Sequence, residues 1–213
     1  VNSVQQLINA ETNGASRRYQ WRKVPSQVTT AGYWFDLSLS PGNPVPKYWF
    51  DATPLIAKSI AQSTDGGLWH GPDTAPKQQY LRMTTAMSSS GTGLPLPLVL
   101  CDYLLYYPSI DDSLTDEQVL DNTVTLPRYT DGKGVQVIAV SVAGRTGGQS
   151  FYFTYTNSDG VSGRTSQIVQ ENAIAAIGTI VTSSLSTLGQ SGNPFIGLQS
   201  GDTGVRSIES VTM

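Results

Sequence analysis

The chain has 213 residues, of which only 14% are charged, with a formal net charge of −3, 21 glycines and 12 prolines. That length holds one large domain or two small ones without a covalent staple, and few charges with many turn residues is the balance of a β-rich protein or of a subunit buried in an assembly. The weak negative charge argues against nucleic acid binding as the main role, and the single Cys101 excludes an internal disulfide and a Cys-based zinc site.

No apolar run of about eighteen residues and no charged-then-apolar leader occurs, so the chain is expected to be soluble. Basic residues are scattered except at Arg17, Arg18, Arg22 and Lys23.

Ser3 followed by Gln6 has the spacing of a capping box, and Val4, Leu7 and Ile8 fall on one face, which predicts a helix over residues 4–11. "YWFDLSLS" alternates after Tyr33 and is expected as a strand. Thr53-Pro54 ahead of "LIAKSIAQS" predicts a second helix, ended by Asp65-Gly66-Gly67. Tyr80, Met83, Thr84 and Met87 in "PKQQYLRMTTAM" have helical spacing and predict a third. "LVLCDYLLYY" has the composition of a buried strand, and Thr115 with Gln118 caps a fourth, very short helix in "DEQVLDN".

From Val135 the alternation is clearer. "VQVIAVSVA", "QSFYFTYTN", the turn "SDG" and "VSGRTSQIV" predict a three-stranded antiparallel meander over residues 135–170, with Phe151, Phe153 and Tyr155 on its buried face. Gly144-Arg145-Thr146 and Gly163-Arg164-Thr165 echo one another, and are expected near strand ends where Gly permits a bulge and Arg covers an edge. The apolar stretch at residues 173–181 fits helix or strand. "GVRSIESVTM" reads as a strand without a closing turn, which suggests part of a longer product.

The largest shift in composition lies near Gly91-Thr92-Gly93, between a mixed part (1–92) and a β-rich part (93–213). One domain over 1–213 is the simpler account: mainly β, an antiparallel β-sandwich or jelly-roll-like fold with a few short helices and an aromatic, proline-rich arm.

Residues for chemistry are sparse. His70 is the only histidine, Cys101 sits in an apolar run and is expected to be buried and inert, and no nucleophile elbow, phosphate loop or dinucleotide fingerprint occurs. Asp111, Asp112, Asp116 and Glu117 lack the spacing of an EF-hand loop, and Asp116 and Glu117 suit the first turn of a helix instead. An enzyme would have to use His70 or this cluster; none, and no cofactor or metal, is expected.

Tyr-Trp-Phe-Asp occurs at residues 33–36 and again at 48–51, around a Pro-Gly-Asn-Pro-Val-Pro loop. Trp34 and Trp49 could stack on sugar rings, pack into a neighbouring subunit or close the chain's own core, and Pro41, Pro44 and Pro46 hold the loop extended at low entropy cost. Tyr33, Trp34, Phe35, Pro41, Pro44, Pro46, Tyr48, Trp49 and Phe50 are the candidate subunit contacts.

"WRKVPSQVTTAGYWFDLSLSPGNPVPKYWF", "GGLWHGP", the long run from "LCDYLLYYP" to "GVSGRTSQ", and "GDTGVRSIESVTM" resemble a family of structural proteins of tailed-bacteriophage virions, over nearly the whole chain. The resemblance implies a virion subunit, assembled in the bacterial host cytoplasm, whose partners are the major capsid protein, other virion proteins and its own copies, with no nucleic acid or membrane contact. It supplies no catalytic motif. Joined to the aromatic arm, it leads to the expectation of a capsid-stabilising (cement or decoration) protein, the alternatives being a neck or tail structural protein or a receptor- or carbohydrate-binding module.

Overall fold

The computed structural model describes residues 3–25, 32–46, 55–60, 66–68, 97–145, 147–174, 176–182 and 193–213. The predicted third helix, His70, and Tyr48, Trp49 and Phe50 lie outside the described residues.

In chain order the described elements are helix α1 (Val4–Thr12), β1 (Arg22–Lys23), a 3-10 turn (Leu37–Leu39), β2 (Gly42–Asn43), β3 (Lys58–Ser59), β4 (Leu105–Tyr106), β5 (Gln118–Val119), β6 (Ser150–Asn157), β7 (Arg164–Thr165), β8 (Val169–Gln170) and β9 (Val205–Thr212). The class is mainly β with antiparallel ladders. Helix α1 starts as its sequence predicts, with the Ser3 side chain accepting from the Gln6 backbone N–H at 3.2 Å. None of its residues is buried.

The main sheet has the order β5-β9-β6, and β6 pairs on its other side with β7 and then β8. β6 alternates as the sequence predicts, placing Phe151, Phe153 and Tyr155 in the core with Leu120, Val169, Val181, Ile196, Val205 and Val211. Phe153 and Tyr155 meet with ring centroids 5.3 Å apart and tilted by 55°, an arrangement that suits the aromatic quadrupoles. Between β7 and β8 the ladder is interrupted, and Ser166 fills the gap by accepting from the Phe153 N–H through its hydroxyl at 3.0 Å.

The predicted meander is only partly realised. Residues 135–143 do not pair with β6; their place beside it is taken by β9, which carries six register pairs with β6. The 135–143 segment stays extended but bonds elsewhere: Val135 O accepts from Val205, Val137 O from Ile196 and Ala139 O from Val181. Val137 and Ala139 thereby pack against the same core as β6. Around this segment the described residues pair through isolated antiparallel bridges, Val140 to Ile180 and Phe35 to Thr179, which do not amount to the second sheet of a sandwich.

Of the second predicted helix the described residues 55–60 are extended, Thr53-Pro54 and residues 61–65 lying outside the described residues, and in place of the fourth stands a strand. Leu55 has φ of 62°, outside the helical region, and Ile56 bridges Asp121 while β3 pairs with β4. Burial of Ala57 and donation of its N–H to Asp121 O at 2.9 Å outweigh the helical spacing of "LIAKSIAQS". In "DEQVLDN", Gln118 and Val119 pair with Val211 and Ser210 of β9. The Gln118 carboxamide also closes the preceding loop, accepting from Asp111 N and donating to Asp111 O, each at 2.8 Å.

Candidate functional site

The described half of the arm is fastened to its own chain. Phe35 bridges Thr179, and Ile180 donates to Trp34 O at 3.0 Å. Asp36 then ends the extended run. Its Oδ1 accepts from the Ser38 N–H at 2.8 Å and the Ser38 hydroxyl at 2.7 Å, so the predicted strand "YWFDLSLS" turns into the 3-10 segment instead.

Past that turn the proline loop folds back rather than reaching out freely. Asn43 and Gly42 pair with Arg22 and Lys23, and Val24 donates to Pro41 O at 2.9 Å. Gly42 is required at this approach: its φ is 138° and a Cβ there would lie 2.0 Å from Arg22 O. The Lys23 ammonium donates to Ser38 O and Ser40 O at 3.3 Å each and to Pro44 O, three carbonyls of one loop. Its three N–H bonds are thereby used, which is what a lysine can supply.

Tyr33, Trp34 and Phe35 are half-buried, as are Pro44 and Pro46, whereas Pro41 is exposed and Val45 is 76% exposed. Thus the aromatic end leans on the body, and in the loop it is Pro41, Gly42, Asn43 and Val45 that face outward. Asp36 is buried, and desolvation raises its pKa, partly offset by bonds from Ser38 and Tyr103 and by the Lys23 charge. Burial also raises the Tyr103 hydroxyl, with the Asp36 charge adding to it.

Both echoed arginines are hubs rather than edge covers. Arg145, with its side chain only 7% exposed, donates to Ser141 Oγ at 2.7 Å, Glu171 Oε2 at 3.0 Å, Asn172 Oδ1 at 2.6 Å and Ile174 O at 3.0 Å. Desolvation raises Glu171, against the pull of Arg145. Arg164 forks onto Asp202 with Nε to Oδ2 at 3.0 Å and a terminal nitrogen to Oδ1 at 3.1 Å. Asn157 Nδ2 and the Tyr155 hydroxyl donate to the same carboxylate, at 2.8 and 2.5 Å. These bonds, Arg164 first, hold Asp202 down at about 2, while burial and the carboxylate push Tyr155 up to about 12.

Register shifts between β6 and β9 leave Glu209 and Arg206 as the extra residues of two bulges, and both side chains are re-aimed to neighbouring loops. Glu209 accepts from the Thr156 hydroxyl at 2.6 Å and from Gly163 N, and Arg206 donates to Ser158 O at 3.3 Å.

Cys101 is exposed, contrary to the buried position expected from its apolar run. Asp111 accepts from Ser113 in a tight turn, and Asp116 and Glu117 precede a strand instead of opening a helix. Among the described residues no group of three His, Cys, Asp or Glu side chains could hold a metal ion, and no helix is long and apolar enough to cross a membrane.

The Asp36 turn was within reach of sequence reading, since Asp-x-Ser is an Asx-turn pattern. Lys23 and Asp202 carried no local signal: their partners lie up to 21 and 47 residues away. Comparison with protein-family models, curated proteins and solved structures finds no match.

Proposed function

We propose that the chain is a non-enzymatic structural subunit of a tailed-bacteriophage virion, a capsid-stabilising protein that contacts the major capsid protein and copies of itself. The supporting observation is the pre-fixed loop at residues 40–46, tied down by Lys23 and the β1–β2 ladder while Pro41, Gly42, Asn43 and Val45 stay exposed. A loop already held in one shape loses little entropy on docking, so a modest contact repeated by symmetry suffices for stabilisation. Composition agrees with this role, with 14% charged residues and a formal net charge of −3. The sequence resemblance to virion proteins supplies the assembly in which such a contact would serve.

The test is a cryo-EM reconstruction of the intact particle, beside one made with Val45→Asp. Density for the chain on the outer shell, with residues 40–46 against a neighbour and lost occupancy in the variant, is the expected result. Density at the neck or tail with that loop in solvent would overturn the capsid-stabilising role, and absence of the chain from the particle would overturn the virion reading itself.

A further inference from the structure

Beside the Asp202 node lies a cleft of about 420 Å³, a size within the roughly 300–1,000 Å³ of small-molecule sites. Gln136, Asn193, Phe195, Leu198, Gln199 and Ser200 line it. Gln136 is held at its mouth because the flanking carbonyls of Val135 and Val137 accept from Val205 and Ile196, at 3.1 and 3.0 Å. The facing wall is equally fixed. Gln167 donates to Gly197 O at 2.8 Å, Gln199 N donates to the Tyr155 hydroxyl at 3.0 Å, and Asp202 N donates to Gln199 O at 3.0 Å.

The chemistry of this lining is neutral. Among the described residues that line it Asp202 is the only ionisable side chain, and both its oxygens are occupied by Tyr155, Asn157 and Arg164. Among the described residues, the Gln136 carboxamide and Ser200 hydroxyl have no protein partner. Asn193 uses its Oδ1 to accept from Phe195 N at 3.0 Å, and Gln199 its Oε1 to accept from Thr165 N at 3.3 Å, which leaves each amide nitrogen as a donor.

We propose that this cleft binds a neutral polyhydroxylated ligand of mono- to disaccharide size. Carboxamides both donate and accept, and so match the hydroxyls of a sugar, while Phe195 and Leu198 offer apolar surface to its C–H faces. A charged ligand finds no counter-charge here and would lose hydration on entry. Rigid walls reduce the ordering cost of binding. None of the described arm residues, 33–46, lines the cleft, so the proposal does not depend on the virion reading.

The experiment is an NMR titration of the ¹⁵N-labelled chain with glucose, galactose, N-acetylglucosamine, lactose and maltose, with the anionic glucuronate and the cationic glucosamine as controls. Saturable shifts at Gln136 and residues 195–200 are expected from at least one neutral sugar. Binding should weaken about tenfold in Gln136→Ala, an exposed position whose truncation leaves the core intact, and persist in Trp34→Ala. The proposal is overturned by the absence of saturable shifts across the panel, by equal binding of glucuronate or glucosamine, by binding unchanged in Gln136→Ala, or by loss of the shifts in Trp34→Ala.

Discussion

The Tyr155 hydroxyl reaches across 47 residues of chain to donate a 2.5 Å hydrogen bond to Asp202. This bond joins the centre of β6 to the turn that precedes β9, so the aromatic core and the loop end of the sheet are one cooperative unit. Tyr155→Phe keeps the ring and removes the donor. We expect a lower melting temperature with unchanged far-UV circular dichroism.

Acid titration reads the same node. Asp202 titrates at about 2 in the folded chain, below the roughly 3.9 of an unfolded aspartate, so its contribution is complete above about pH 4 and is lost as pH falls toward 2. Asp202→Asn removes that dependence. Urea midpoints measured between pH 2 and 5 should fall more steeply for the parent chain than for the variant, and parallel slopes would contradict the assignment.

Asp36 carries the opposite sign. Burial raises its folded pKa, so its contribution is complete below about pH 4 and declines as pH rises through the folded value. Stability of the parent relative to Asp36→Asn should therefore drop as pH rises above about 4, where the Asp202 comparison is already level.

Arg145 and Glu171 form a pair with side chains 7% and 8% exposed. Removing one charge strands the other, at a cost of about 3–5 kcal/mol. Arg145→Met and Glu171→Gln should each be strongly destabilising, and the double variant less so than their sum in a double-mutant cycle.

Gly132 and Gly134 separate strain from collision. Their φ values are 78° and 75°, but a Cβ on Gly132 would lie 2.5 Å from Val205 O whereas one on Gly134 meets nothing within 4 Å. Gly134→Ala should cost about 1–2 kcal/mol, the strain of a left-handed residue, and Gly132→Ala clearly more. Equal chemical-denaturation midpoints for the two would refute the close approach.

How much of this was legible depends on whether the governing contact was local. Helix α1 and β6 were readable because a Ser3 cap and a strict alternation at residues 151–155 are written within a few positions. Residues 55–60 and 116–122 were misread for the complementary reason. Their helical spacing is genuine, but the N–H groups of Ala57 and Leu120 bond to Asp121 and Glu209 instead. The arm's aromatic half was legible as a candidate, while its fastening by Lys23 was not, since an ammonium over three carbonyls leaves no spacing signature. Nothing in the sequence marked the 193–203 cleft, whose polar lining is assembled with Gln136 from a distant segment.

The order β5-β9-β6 places residues 205–212 between two strands that a ribosome delivers earlier. Until Val205 emerges, Gln118 and Tyr155 have no ladder between them, and Phe153 and Tyr155 have lost one wall of their enclosure. A nascent chain halted before that point presents an unpaired edge and bare aromatic surface, the combination that draws strands of other chains or a chaperone. Closure of the sheet is thus timed by translation of β9, and a chain interrupted upstream of it is an aggregation hazard rather than a smaller working protein.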